Sequence, residues 1–298
     1  MNDDVRAFLD DADRRLADAG VSSPRHDAET LLAFVLGTTR AALQGRSGTL
    51  SAGDQAAATV LVSRRAAREP LQHLTGVAGF RHLDIAVGPG VFVPRPETEM
   101  LTGQAVEELT RLVAAGIDRP VAVDLCTGSG AVAASLAFEA PPTRVTAVEV
   151  AEPAHAFALR NAGPLGVDVR LGDMATAVDD LAGTVHVVTA NPPYIPLEAF
   201  ESVEPEARDH DPAEALWSGQ DGIDAIRVVA EVAARLLVDG GLLLCEHADV
   251  QHETAPAVFS ARPEWHTVRD HVDLAGRPRF LTARRVSRRL STAGTIAL

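Results

Sequence analysis

The sequence predicts an α/β fold, a doubly wound and mostly parallel sheet preceded by a small helical domain and a β-hairpin linker. Three observations carry this. From Val121 onward, short apolar runs alternate with helical stretches, as in parallel strands joined by crossovers. Residues 1–76 show helical periodicity alone. Residues 77–97 between them mix strand-like runs with glycine and proline turns.

In the helical part, Val5, Phe8, Leu9, Ala12 and Leu16 recur at helical spacing, and Gly20 is placed to stop the helix. Ser23-Pro24 opens a second helix with Ala28, Leu31, Leu32, Val35 and Leu36 on one side, ended by Gly37. Ser51 with Asp54 reads as the N-terminal cap of a third, running to Arg68 before Pro70 breaks it. In the linker, residues 80–87 read as one strand and Gly88-Pro89-Gly90 as the turn, after which Val91-Phe92-Val93 leads into Pro94-Arg95-Pro96. Strands are then expected at Val121–Leu125, Val145–Val150, Val167–Leu171, Val185–Ala190, Gly241–Glu246, His266–Asp270 and Phe280–Ala283. The last two should form an antiparallel hairpin at one edge. Residues 98–285 thus form the sheet domain, and 286–298 read as a frayed, disordered tail.

Composition narrows the chemistry. Of 298 residues, 27 are basic and 41 acidic, a formal net charge of −14, and every basic residue is Arg. The absence of Lys excludes a P-loop lysine, a Schiff base and a lysine general base. The acidic balance argues against direct nucleic-acid binding through many phosphate contacts. No apolar run approaches a membrane span, and the acidic start lacks a basic signal region. Two widely separated cysteines, Cys126 and Cys245, give neither a disulfide framework nor a paired-cysteine zinc site. The expectation is a cytoplasmic, monomeric protein with no metal.

The run from Val121 to Gly130 is a buried strand entering a glycine turn and then a helix over 131–140. Its residues Asp124, Cys126, Thr127, Gly128, Ser129 and Gly130 form a candidate cofactor cradle. Glycines let a ligand approach the backbone closely, and the helix start offers free N–H groups. Glu149 ends the next strand, where a carboxylate accepts both ribose hydroxyls. Gly128-x-Gly130-x-x-Ala133 also fits a dinucleotide fingerprint, so the turn alone does not choose a cofactor. Two details favour S-adenosylmethionine over NAD: Asp124 inside the strand end, placed for a methionine amino group, and Glu149 closing the second strand. Asp173 follows the third strand, placed either for an adenine amine or as an ordinary cap, and Met174 offers the ring an apolar surface.

Asn191-Pro192-Pro193-Tyr194 follows the fourth strand at the carboxyl end of the sheet, near the point where strand order should reverse. As a turn it is unremarkable chemistry. As a catalytic and substrate-binding site it solves a specific problem, because the lone pair of an amide or aniline-like nitrogen is conjugated and poorly nucleophilic. The Asn191 side-chain carbonyl and the Pro192 backbone carbonyl can each accept one N–H. Pro193 stiffens the backbone that presents Pro192. Tyr194, the only Tyr of the chain, can stack on the planar group and hold it in line with a methyl sulfonium.

The run 124–130, Glu149 and Asn191–Tyr194 together resemble class I methyltransferases acting on planar nitrogens. Further runs narrow the likeness: Glu69-Pro70-Leu71-Gln72-His73-Leu74-Thr75-Gly76, then Phe92-Val93-Pro94-Arg95-Pro96-Glu97-Thr98-Glu99, Asp211–Leu216, Gly219–Gly222, Leu244-Cys245-Glu246-His247 and Gly276-Arg277-Pro278-Arg279. These are similar to the release-factor glutamine methyltransferases of PrmC/HemK type, over about residues 5–285. The resemblance implies a Rossmann-like, seven-stranded methyltransferase domain and S-adenosyl-L-methionine as donor. It implies N5-methylation of the glutamine in the Gly-Gly-Gln loop of class-I peptide-chain release factors, with the helical domain helping to dock them. Asn191 would also touch the cofactor.

Three positions depart from the family pattern: Cys126 for the first glycine of the turn, Met174 for an aromatic, and His73 for a Tyr. A small Cys fits a turn needing little side-chain volume, though not one demanding φ > 0. Cys126 itself reads as packing, and His247 and His252 are wrongly spaced for metal ligands on one helix face. Thr98 and Glu99 read as a helix start, Phe92 as core, and Arg95 either as a fixture of the hairpin exit or as a substrate contact. The alternatives are an adenine-N6 methyltransferase of DNA or RNA, a cofactor-sensing binding protein and, more distantly, an NAD oxidoreductase. The acidic charge and the missing target-reading insert weigh against the first. The intact Asn191 and Tyr194 weigh against the second.

Overall fold

The structure, a computed structural model, describes residues 3–45, 49–202 and 204–286. Of the tail expected over 286–298, Val286 donates its N–H to the Glu264 carbonyl at 2.8 Å, and residues 287–298 lie outside the described residues. The chain divides into two compact units. One comprises Met1–Val77, Val87–Pro89 and Val203–Asp211, and the other Ala78–Ala86, Gly90–Ser202 and Pro212–Leu298.

The first unit holds α1 (Asp3–Asp18), α2 (Pro24–Val35), α3 (Arg40–Gly45), α4 (Ala52–Ala66) and α5 (Leu71–Thr75). The apolar stripes read from the sequence meet in its core, where Leu9, Leu16, Leu31, Leu32 and Val62 are fully buried. Ser51 caps α4 by accepting the Asp54 N–H at 3.0 Å. Helix α4 stops at Ala66, two residues before the expected end, and Arg68 takes a left-handed φ of 67°. That bend lets Arg68 donate to the Gly20 carbonyl at 3.1 Å. Pro70 ends nothing further: it serves as N-cap of α5, a short helix absent from the sequence reading, as is α3.

The second unit begins at Ala78, within a hairpin of β1 (Val77–Phe80) and β2 (Leu83–Ala86). Its turn lies at Arg81-His82, not at 88–90, so the continuous strand expected over 80–87 is corrected. Arg81 adopts φ 52° there, its N–H donating to Glu99 at 3.1 Å and its guanidinium to both oxygens of Glu139 at 2.6 Å. These side-chain partners fix a turn that carries no glycine.

The sheet domain continues through α6 (Thr98–Ala114), β3 (Val121–Leu125), α7 (Ala131–Glu139), β4 (Arg144–Glu149), α8 (Glu152–Ala162), β5 (Asp168–Leu171) and β6 (Val185–Ala190). After α9 (Pro205–His210), which belongs to the first unit, come α10 (Ala213–Leu216), α11 (Asp224–Leu236), β7 (Leu237–Glu246), α12 (Thr254–Ser260), β8 (Trp265–Val272) and β9 (Pro278–Arg285). The seven strands run in the order β5-β4-β3-β6-β7-β9-β8, parallel except for β9, which is antiparallel to both neighbours. The expected antiparallel edge hairpin is therefore present. Strand β7 starts four residues earlier than expected, with a register shift against β6 that accommodates Gly240-Gly241. Strand order reverses between β3 and β6, which opens the ligand crevice of such sheets at their carboxyl ends. No helix among the described residues is long and apolar enough to cross a membrane.

Candidate active site

Strand register assembles the site. Leu125 of β3 pairs with Ala190 of β6, and Ala190 pairs with Cys245 of β7. The next residues, Cys126, Asn191 and Glu246, therefore leave three adjacent strands at one level. The glycine turn and the Asn191–Tyr194 run lie side by side at the switch point.

On the glycine side, Asp124 is buried, and its register partner Thr189 donates a hydroxyl to it at 2.7 Å. Thr127 donates to its other oxygen at 2.5 Å. Burial raises the Asp124 carboxyl to about 6 against these hydrogen bonds. Glu149 accepts the Gly128 N–H at 2.8 Å on one oxygen and the N–H groups of Val150 and Ala151 at 2.9 Å on the other. Asn161 of α8 reaches two places: it donates to the Ser129 carbonyl at 2.9 Å and pairs with the backbone of Ala86 in β2.

Cys126, Gly128 and Gly130 all take left-handed φ, at 56°, 56° and 80°. The expectation that Cys126 avoids such a conformation is corrected. Its sulfur lies 3.5 Å from that of Met174, and burial with the nearby carboxylates of Glu149, Asp124 and Asp173 pushes its thiol well up, so it stays a neutral packing group. A Cβ on Gly128 would meet nothing within 4 Å among the described residues, whereas one on Gly130 would press on Ala158 Cα at 3.0 Å. The first glycine leaves room for a ligand and the second lets two helices meet. Asp173 is exposed and caps its own turn, accepting the Ala175 N–H at 2.8 Å. Val150 and Leu171, at the carboxyl ends of adjacent strands β4 and β5, expose large apolar side chains. A carboxylate at a strand end, an open glycine and exposed apolar side chains fit an adenosyl group.

On the acceptor side, Pro192 is buried while Asn191, Pro193 and Tyr194 are partly exposed. Tyr194 donates its hydroxyl to Glu246 at 3.2 Å. Thr98 donates to the other Glu246 oxygen at 2.6 Å and receives the Asn191 side-chain N–H at 3.4 Å. Burial, reinforced by the Glu246 charge, lifts the Tyr194 hydroxyl far above its usual range and rules it out as a general base. Gln251 holds the Tyr194 carbonyl at 2.9 Å and the Gly222 carbonyl at 3.2 Å. A Cβ on Gly222 would collide with the Tyr194 carbonyl oxygen, so that glycine sets the loop's path.

Arg95 lies over the Phe92 ring at 4.8 Å. His247 is fully buried against Asp270 at 2.9 Å. No group of three His, Cys, Asp or Glu among the described residues is placed to hold a metal ion. Thr98, Asn161, Glu246 and Gln251 received no site role from the sequence. Glu246 stood out in the sequence only within the run Leu244-Cys245-Glu246-His247, at the end of an expected strand, with no role of its own.

This is the Rossmann-like fold of the class I methyltransferases. The catalytic domain of hMettl16, solved with an RNA hairpin, shares it with a TM-score of 0.53 at 14% identity, over 76% of this chain and 81% of that one. Residues 7–76 match the family model of the PrmC N-terminal domain. The release factor glutamine methyltransferase of Streptomyces coelicolor is 51% identical over 275 residues, 92% of this chain and 95% of that protein. The 4-amino-L-phenylalanine/4-methylamino-L-phenylalanine methyltransferase of Streptomyces pristinaespiralis is 43% identical over 204 residues, 68% of this chain and 70% of that protein. The chain belongs to the release factor glutamine methyltransferase family.

Proposed function

We propose that the protein transfers a methyl group from S-adenosyl-L-methionine to the N5 side-chain amide nitrogen of the glutamine in the Gly-Gly-Gln motif of class-I peptide-chain release factors. The observation that carries this is the side-by-side placement of the glycine turn and the Asn191–Tyr194 run, fixed by the pairing of Leu125 with Ala190. Near-full-length similarity to relatives of that name supports the substrate class.

S-adenosylmethionine supplies a methyl group activated by a sulfonium. Glu149 would accept the ribose hydroxyls, Gly128 and its neighbours Thr127, Ser129 and Gly130 would line the methionyl path, and Asp124, held by Thr127 and Thr189, would take the methionine amino group. Val150, Leu171 and Met174 would flank the adenine, with Asp173 at its edge. Asn191 would accept one N–H of the substrate amide and the Pro192 carbonyl the other, while Tyr194, with Pro193 behind it, holds the group planar. Positioning is the main contribution. The alkylated nitrogen is acidic enough to release its proton to water without a strong base.

The reading also places the protein in the cytoplasm, where release factors act, as a monomer with no direct nucleic-acid contact. The test is transfer of labelled methyl to a purified class-I release factor, beside its Gly-Gly-Gln→Gly-Gly-Ala variant, a DNA and free 4-aminophenylalanine. Label on the wild-type factor alone is expected. Label confined to DNA or to the amino acid overturns the reading.

A further inference from the structure

The acceptor site contains hydrogen bonds with a defined direction. Glu246 ends β7 almost fully buried, one oxygen accepting from Thr98 and the other from Tyr194. A hydroxyl has one hydrogen, and Thr98 spends its own on Glu246. Toward Asn191 the Thr98 oxygen is therefore only an acceptor, and the Asn191 NH2 group is what faces it. An amide anchored by its nitrogen presents its carbonyl oxygen on the other side, the end needed to accept a substrate N–H.

We propose that Glu246 is a positioning residue that sets the hydrogen-bond polarity of the acceptor site, holding the Asn191 carbonyl outward through Thr98 and fixing the Tyr194 ring through its hydroxyl. This rests on Asn191 acting as the amide clamp. An ionised carboxylate accepts only, so it leaves both hydroxyls no choice of direction. Once protonated, or replaced by an amide, it must donate to one of them. Thr98 can then turn its hydrogen to Asn191, and the Asn191 amide reverses.

The groups facing Glu246 make this switch accessible. Burial raises its carboxyl to about 7, with Glu97 ahead of α6 adding to the rise, while Arg279 of β9 and the bonds from Thr98 and Tyr194 oppose it. Arg95 and Arg279 act on Tyr194 in turn, and the buried neighbouring Cys245 stays neutral. The ionised form dominates above neutrality.

The experiment compares wild type with Glu246→Gln, Thr98→Ser and Thr98→Val. Wild-type kcat should rise with pH through about 7. Glu246→Gln should lose about 30-fold or more in kcat and lack that rise, with S-adenosylmethionine Kd within about threefold. Thr98→Ser should keep activity within about threefold, and Thr98→Val should lose about tenfold or more. NMR needs no release factor: the Asn191 side-chain NH2 resonances should titrate in wild type and not in Glu246→Gln. A wild type that methylates no release factor overturns the substrate reading while the NMR still judges the relay. A Glu246→Gln enzyme with wild-type kcat and pH profile overturns the relay, as do equal activities of the two Thr98 variants or Asn191 resonances indifferent to pH.

Discussion

One oxygen of Glu149 accepts the backbone N–H of Gly128 at 2.8 Å, so the end of β4 is tied to the turn that follows β3. Three N–H groups converge on this carboxylate. Glu149→Gln turns at least one of them toward an NH2 group. The variant should lose about 1–3 kcal/mol of stability together with S-adenosylmethionine affinity. Denaturant unfolding and titration calorimetry read the two losses, and an unchanged affinity would remove the link between this carboxylate and the cofactor.

The two glycines of the turn should fail in different ways. Gly130→Ala sets a Cβ against Ala158 at left-handed φ and should cost about 3 kcal/mol. Gly128→Ala carries only the conformational cost of about 1–2 kcal/mol but should weaken S-adenosylmethionine binding by about tenfold. Equal behaviour of the pair in unfolding and binding assays would refute the division of roles.

Cys126 occupies left-handed backbone that Gly tolerates freely and β-branched residues resist. In Cys126→Gly the relieved strain offsets the lost contact with Met174 and the entropy of the unfolded glycine. Stability should stay within about 1 kcal/mol of wild type. Cys126→Val should lose about 2–3 kcal/mol. Urea midpoints order the three proteins.

Asn191→Ala removes an acceptor from the reacting amide without touching the glycine turn. Turnover should fall by about 10²–10³ with cofactor affinity within about threefold. Single-turnover methyl transfer measures this, and near-normal turnover would sink the clamp.

In the helical unit, Arg65 is buried between Asp27 and Glu206, each at 2.8 Å, and Arg68 joins Glu206 at 2.6 Å. Against burial, the bonds from Arg68 and Arg65 hold the Glu206 carboxyl down at about 2. Its folded value lies below the unfolded one, so its stabilisation is complete above about pH 5 and disappears as pH falls toward 2. Wild type should lose up to about 3 kcal/mol over that window through this group. Glu108, held at about 2 first by Arg111, against burial and with help from Arg284, acts in the same range. The difference between wild type and Glu206→Gln isolates Glu206: the gap in urea-derived stability should be widest near pH 6 and nearly closed by about pH 2. A gap that stays constant across that range would contradict the assignment.

Signals confined to one stretch of chain were legible in the sequence. Apolar runs marked the strands, Ser51 and Asp54 marked the start of α4, and the glycines and Asn191-Pro192-Pro193-Tyr194 announced themselves by composition. Roles that depend on register were not. Glu246 matters because Cys245 pairs with Ala190, and Thr98 because its helix begins beside that strand end. Asn161 joins β2 to the glycine turn across 75 and 32 residues of chain, which no local pattern records. Arg81 and Cys126 sit at positive φ without glycine, held by tertiary partners rather than by their own preference. The hairpin turn was misplaced for that reason.

The buried ion-pair cluster of the helical unit is written in two separate places in the gene. Its Arg65 and Arg68 come early, while Glu206, which they grip, arrives more than 130 residues later, from the segment that follows Tyr194. A single recombination near residue 76 would carry both arginines into a new gene and strand their acidic partner in the old one. Inheritance of this cluster therefore requires two coordinated exchanges, and a chimera joined only at the hairpin would bury a guanidinium facing no carboxylate from α9.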